Sequence, residues 1–217
     1  MGAPPPSLPV ATGPADPNAR LILASGSPRR IELLRDAGYA FVLEPANLDE
    51  ERHPGKLLPR ELALYLAQAK ANAIGQKHRR DVTLAADTIV AFGDMPIGKP
   101  ANEAAAREII RLLSGTTHIV ITAVALCCPD RGIDWVAAAM SAVRMRVLNG
   151  REVDDYVASG LWKGKAGGYG IQDDRPLITC VSGSTTNVIG LPMTLTRQLL
   201  GQAGIHVAGS SDAAPVP

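Results

Sequence analysis

Apolar residues fall along this chain in short continuous runs and in helical stripes, and their order predicts its elements. Leu21 to Ala24 are four apolar residues in a row and predict a short buried strand. Ser27 then stands where a helix N-cap belongs, and Pro28 suits the first helical position, where its missing N–H costs nothing. Ile31, Leu34 and Ala37 recur at helical spacing, and Gly38 can end the helix as a left-handed cap. Residues 39–44 (YAFVLE) suggest a second strand, and 45–58 a polar loop containing Asp49, Glu50 and Glu51. From Leu58 to Ile74, Leu62, Leu66, Ala69 and Ala73 form a helical stripe, with Pro59 near its start and Gly75 just past its end. Residues 82–92 (VTLAADTIVAF) are a near-continuous apolar run, as expected of a central strand.

Asn102 caps a third helix running to Leu113 and closed by Ser114–Gly115. Residues 117–127 and 135–148 are two long β-rich runs separated by a Pro-Asp-Arg-Gly turn, which predicts an antiparallel pair. A short helix over 150–159, a Gly-rich loop over 160–170, a strand over 177–181 and a small-residue turn over 182–187 follow. A last helix runs from Pro192 to Leu200. Strands alternate with helices early and pair antiparallel late, so the fold class is α/β with a mixed sheet. No internal repeat is present. Residues 1–20 are Pro- and Ala-rich with little to bury and read as a disordered leader. The tail 208–217 reads the same way, leaving 21–203 as one domain.

Composition narrows the partners. Across 217 residues, 46% are hydrophobic and 20% charged, a globular balance with length for one sizeable core or one domain split into two lobes. A net charge of +1 with both signs interspersed argues against a general nucleic-acid or membrane-surface binder, so anion recognition has to come from a focused site. Aromatics at 4% are too few for a base-stacking platform, which disfavours RNA binding. Cys127, Cys128 and Cys180 lie in apolar runs and fit free thiols of a reducing cytoplasm better than a disulfide framework. No apolar run reaches the roughly 18 residues of a membrane span, and no secretory signal pattern opens the chain.

The first strand–turn–helix unit points free backbone N–H groups at whatever lies before the helix, which makes an anion site. Ser25, Ser27, Arg29 and Arg30 add hydroxyls and guanidiniums suited to phosphate oxygens. The plainer alternative is a capped surface helix with two solvated arginines. Asp87 puts a carboxylate in the middle of LAADTIV, where an isolated charge is very costly unless a cleft or a cation meets it. Its alternative is a strand-end Asp paired with an Arg or a backbone N–H. Lys99 in the GKP turn can meet phosphate or simply be solvated. Lys70 shares a helix face with Leu66 and Ala73 but reads, by itself, as a snorkelling surface lysine. Residues 160–173 (GLWKGKAGGYGIQD) combine two lysines, five glycines and Gln172, whose amide suits a base edge. The turn SGSTTN (182–187) is a second, weaker anion-site candidate. The Gly160–Lys165 segment has the wrong length for a P-loop, no GxSxG elbow is present, and the four histidines are scattered without ligand spacing.

LASGSPRRIELL, AADTIV, GKP, KAGGYGIQ and SGSTTNVIGLP, in this order and spacing, resemble the Maf family of nucleotide pyrophosphatases from about Leu21 to Leu200. The resemblance implies a two-lobed α/β fold related to the house-cleaning inosine-triphosphate pyrophosphatases, with an elongated mixed sheet and a cleft between the lobes. It implies hydrolysis of a nucleoside triphosphate to monophosphate and pyrophosphate, assisted by a divalent metal (Mg, Mn or Co), usually in a homodimer. Under it, Asp87 is the general base and a metal ligand, and Glu50 falls in the acidic segment near the metal. Ser25, Ser27, Arg30, Lys70 and Lys99 match the phosphate-site residues. Arg29, Thr88 and Gln172 match three positions that separate the subfamilies: the dTTP/UTP branch has Arg, Thr and Gln, the 7-methyl-GTP branch Trp, Gln and Glu.

Three positions depart from the family pattern. Ala69 replaces a common Glu before the helix lysine, Thr185 replaces an aromatic, and Asp173 replaces the glycine usual after the Ile-Gln pair. The last two bear on the shape of the base pocket more than on the reaction. The alternatives to the dTTP/UTP enzyme are a 7-methyl-GTP pyrophosphatase and a regulatory nucleotide-binding protein affecting cell division. Asp87 together with all the cationic positions favours the enzyme.

Overall fold

Strand β3, Val82–Phe92, is the axis of the molecule in a computed structural model describing residues 11–13, 16, 18–49, 53–174 and 176–207. Around it a seven-stranded mixed sheet is ordered β2-β1-β3-β5-β6-β7, with β4 paired to β3 off that path. The other strands are β1 Leu21–Leu23, β2 Val42–Leu43, β4 Met95–Ile97, β5 Thr117–Cys128, β6 Ile133–Met145 and β7 Ile178–Ser182. Helices are α1 Pro28–Asp36, α2 Pro59–Gly75, α3 Glu103–Leu113, α4 Gly150–Ala158, α5 Thr185–Ile189 and α6 Met193–Gln202. β1 is parallel to both β2 and β3, whereas β3–β5, β5–β6 and β6–β7 are antiparallel. The mixed sheet and the expected antiparallel pair are both present.

β3 is apolar on both sides because both are covered. Leu84 and Ala86 face a cluster built with Leu34 of α1 and Leu199 and Leu200 of α6. Ala85 and Ile89 face Leu66, Ala67 and Ile74 of α2. Farther along, Val90 joins a third cluster with Ile110 of α3, Tyr156 and Val157 of α4, Trp162 and Tyr169. The first two clusters lie on opposite faces of β3 and β5, and the third gathers toward the end of β3 and the start of β5.

The local end signals behave as chemistry dictates. Gly38 takes φ +84° and its N–H returns to the Arg35 carbonyl at 2.8 Å. Asn102 Oδ1 accepts from the Ala105 N–H at 2.9 Å. Asn149 and Glu152 close a capping box at the start of α4. Gly75 differs from expectation, since it lies inside α2. A Cβ there would sit 2.5 Å from Cys127 Sγ and 2.9 Å from Cys127 Cβ, so glycine is what lets α2 lie against β5. Gly75→Ala is expected to lower stability by about 1–2 kcal/mol, the overpacking outweighing alanine's helix preference. In a thermal melt that is a fall of roughly 2–8 °C for a domain of this size. An unchanged melting temperature would contradict the close approach.

Burial, with Asp134 and Cys128 adding to it, pushes the Cys127 thiol up to about 11. Cys127 and Cys128 are buried free thiols and Cys180 is half-buried. Two elements escaped the hydrophobic pattern. β4 is a three-residue strand folded back on β3, and α5 is a one-turn helix where a turn was expected. Within the expected leader, the Thr12 and Gly13 N–H groups donate to the Arg131 carbonyl at 3.3 Å each. Its remaining undescribed positions and the tail 208–217 lie outside the described residues. Among the described residues no helix is long and apolar enough to cross a membrane.

Candidate active site

β3 loses its neighbour on one side for five residues. β1 pairs with it only as far as Leu84, and β4 begins only at Val90, while β5 runs alongside without a break. A cleft of about 600 Å³ opens at that interruption, between the 24–30 turn on one side and the Gly-rich loop on the other. Successive strand residues point to opposite faces, yet both Asp87 and Thr88 line this cleft. A sheet opened on one flank exposes residues of both faces to one space, as at the switch points of other α/β sheets.

Asp87 lies on the α2 face of β3 and is 5% exposed. Lys70 of α2, 8% exposed, approaches from above and donates to Asp87 Oδ1 at 2.5 Å. The snorkelling reading of Lys70 is therefore wrong. Its position one turn along from Leu66 carries the ammonium inward, where the carboxylate offsets its desolvation. The partner of Asp87 is thus neither an Arg nor a backbone N–H.

On the opposite face, Arg30 makes three hydrogen bonds to described residues. Nε donates to the Gly190 carbonyl at 2.7 Å, Nη1 to Ser25 Oγ at 3.2 Å and Nη2 to Thr88 Oγ1 at 3.0 Å. With Thr88 accepting from Arg30, its own proton goes to Thr122 Oγ1 at 3.0 Å, and Thr122 donates to the Asn187 carbonyl at 2.9 Å. Asn187, fully buried, donates in turn to the Val120 carbonyl and to Ser141 Oγ at 3.0 and 2.9 Å. This chain of donors sets the direction of the guanidinium before any ligand arrives. Ser27 occupies the N-cap of α1 without a side-chain capping bond, and its N–H donates to Ser25 Oγ at 3.3 Å. Arg29 reaches across the cleft, Nη2 donating to the Gly164 carbonyl at 3.4 Å.

The far wall is the Gly-rich loop, with Lys163, Lys165, Tyr169, Gln172 and Asp173 on the cleft. Tyr169 is anchored through a histidine that the sequence pattern left without a role. Thr116 Oγ1 donates to the Leu113 carbonyl at 2.8 Å, so it accepts from Nδ1 of His118. Nε2 of His118 then accepts from the Tyr169 hydroxyl at 2.6 Å. Burial holds the His118 pKa down at about 4, consistent with the neutral ring this assignment needs.

Ser25, Ser27, Arg29, Arg30, Lys70, Asp87, Thr88, Lys99 and Gln172 all line the one cleft. Glu50 lies outside the described residues. None of the SGSTTN residues, 182–187, lines the cleft, and three of its polar side chains are engaged within the fold. Ser184 and Thr186 bond each other at 2.8 Å, Thr186 also accepts from the Met193 N–H at 3.1 Å, and Asn187 is turned into the core. Lys163 and Lys165 were visible only as part of a lysine- and glycine-rich loop. Nothing local marked them as facing the same space as Arg30.

A hard divalent cation takes carboxylate oxygens, commonly one or two, and completes its shell with phosphate and water. Asp87 offers such a carboxylate at the floor of the cleft. Among the described residues no three His, Cys, Asp or Glu side chains gather into a cage. Chemically, the arrangement is a buried carboxylate, Asp87, at the floor of a cleft lined with cations, a surface for a polyanion with a base or ligand beneath it.

A family model described as "Maf-like protein" matches residues 20–203. A dTTP/UTP pyrophosphatase of Hyphomonas neptunium is 45% identical over 189 residues, covering 86% of this chain and 97% of that one. A dTTP/UTP pyrophosphatase of Zymomonas mobilis is 42% identical over 193 residues, covering 88% and 95%. A solved structure of a HAM1 protein from Coxiella burnetii overlays with a TM-score of 0.46 at 18% identity, covering 83% of this chain and 96% of that one.

Proposed function

The chain belongs to the Maf family, and from that premise we propose that it hydrolyses dTTP and UTP to the nucleoside monophosphate and pyrophosphate in the cleft beside Asp87. The observation that carries the reading is the cleft itself. It holds a buried carboxylate, the cations Arg30, Lys70 and Lys99, and Arg29, Thr88 and Gln172 on one continuous surface.

In this reading the triphosphate lies across the N-terminus of α1, where the helix dipole favours negative charge. Ser25, Ser27 and Arg30 hold it there, and Lys70 and Lys99 meet its remaining oxygens. A water oxygen attacks the α-phosphorus, and the bond from that phosphorus to the pyrophosphate oxygen breaks. Asp87 takes the water's proton at Oδ2, since Lys70 engages Oδ1. Pyrophosphate leaves as an anion neutralised by the same cations, so the catalysis is positioning plus electrostatic stabilisation. A divalent ion (Mg, Mn or Co) held by Asp87 and Glu50 would supply charge neutralisation on the phosphate oxygens.

The test is release of pyrophosphate from dTTP, UTP, CTP and 7-methyl-GTP with magnesium or manganese. Release from dTTP and UTP in preference to 7-methyl-GTP is the expected result. A protein that binds these nucleotides and releases nothing would be a regulatory binder instead. Arg29→Trp should weaken dTTP and UTP hydrolysis selectively, because it removes the link to Gly164 and puts an indole at the cleft. Equal losses on every nucleotide would argue against a specificity role for Arg29.

A further inference from the structure

The structure assigns to Asp173 the role of a positioning residue that fixes the base-facing segment of the cleft, and with it Gln172. This inference rests on the proposed pyrimidine-nucleotide reading and extends it to a residue where the family usually has glycine. The Asp173 carboxylate gathers three donors. Oδ1 takes the Lys165 ammonium, while Oδ2 accepts from the Tyr156 hydroxyl and from the Gly170 N–H, each at 3.1 Å. Its side chain is only 8% exposed although the residue borders the cleft.

Each donor comes from a different place. Tyr156 is a buried residue of helix α4, Lys165 precedes the tight turn at 166–168, and Gly170 opens the last stretch of the loop. One carboxylate therefore ties a mobile kind of sequence, five glycines in fourteen residues from 160 to 173, to a packed helix. Burial and the neighbouring carboxylate push the Tyr156 hydroxyl above its ordinary range, so it stays protonated and keeps donating. The anchor is compact: a Cβ on Gly170 would lie 2.7 Å from Asp173 Oδ1 and 2.9 Å from Lys165 Nζ. A charged acceptor with three donors makes stronger bonds than a neutral one would.

Gln172 is pinned from both sides by this arrangement. Ile171 before it packs on the α3–α4 cluster, and Asp173 after it is locked to Tyr156 and Lys165. Gln172 is exposed and lines the cleft, and its neighbours fix where the backbone presents it. A glycine at 173 would provide no such acceptor. The same contact engages Lys165, so its charge is partly neutralised by Asp173 before any phosphate is bound.

The experiment compares the wild type with Asp173→Gly and Tyr156→Phe, reading kcat and KM for UTP, dTTP and CTP together with thermal melts. Asp173→Gly is expected to raise KM for UTP and dTTP roughly 10-fold, since a freed loop must be ordered on binding, with kcat within about threefold. The ratio of kcat/KM for UTP to that for CTP should move toward one in the same variant. Tyr156→Phe, outside the cleft, should raise KM roughly two- to threefold with kcat unchanged. If Asp173→Gly does not fold, Tyr156→Phe carries the test by itself. Variants whose melting temperature falls while KM and nucleotide preference stay put would overturn the inference and reduce Asp173 to a structural tie. A wild type that releases no pyrophosphate from any of the three would overturn the functional reading, and this inference with it.

Discussion

Asp87→Asn is expected to lower the rate of pyrophosphate release by about 100-fold or more, in the range of general-base loss, while dTTP still binds. The substitution is nearly isosteric, and its amide oxygen can still accept from the Lys70 ammonium, so the cleft keeps its shape. What disappears is a negative oxygen able to take a proton from water or to hold a cation. The cations that hold the triphosphate, Arg30, Lys70 and Lys99, remain on the same surface. Pyrophosphate release measured beside equilibrium binding of dTTP separates the two effects. Near-normal turnover in this variant would end the assignment of Asp87.

Lys70→Met tests the same pair from the other side, and here stability reads out together with activity. Removing one partner of a buried pair is commonly worth about 3–5 kcal/mol. The low end, about 3 kcal/mol, applies here because both groups border an open cleft. That corresponds to a fall in melting temperature of roughly 6–12 °C. Activity should fall at least about 10-fold as well, through loss of a charge-assisted contact to the phosphates. The double variant Lys70→Met/Asp87→Asn should recover most of the lost stability, because no buried charge is left uncompensated, while staying inactive. A single variant that melts with the wild type would show that the pair is not a buried one.

Much of this fold is readable from the chain alone, and particular elements show why. The expected strand 82–92 coincides with β3 because an eleven-residue apolar run covered on both faces has no other stable conformation to compete with it. Gly38 and Asn102 end and start their helices where expected, since caps are local chemistry satisfied within four residues. β4 escaped because three residues, MPI, carry too short a pattern to be told from a turn. Gly75 departs from the local pattern because its cause lies on β5, at Cys127 Sγ.

The site divides along the same line. The residue types were legible: a carboxylate stranded in an apolar strand, arginines at a helix start and a Gly-rich loop with lysines each point to chemistry by cost or by charge. Lys70 was read as a surface group because one helix stripe cannot say what stands across from it. Asp173 looked only like a departure from a family pattern, and His118 like one scattered histidine.

By itself, then, the sequence determined most of the elements and their caps, the lining residues by type and the family they match. Such features depend on covalent geometry, periodicity and burial cost within a few residues of each position. Tertiary structure alone decided the rest: the interruption beside β3 that exposes Asp87 and Thr88 together, the pairing of Lys70 with Asp87, the Arg30–Thr88–Thr122–Asn187 chain and the three-donor grip on Asp173. Most of those contacts join residues on different elements, as far apart as 65 positions for Thr122 and Asn187. Strengths and directions of this kind depend on where a partner stands in space, and spacing along the chain does not encode that.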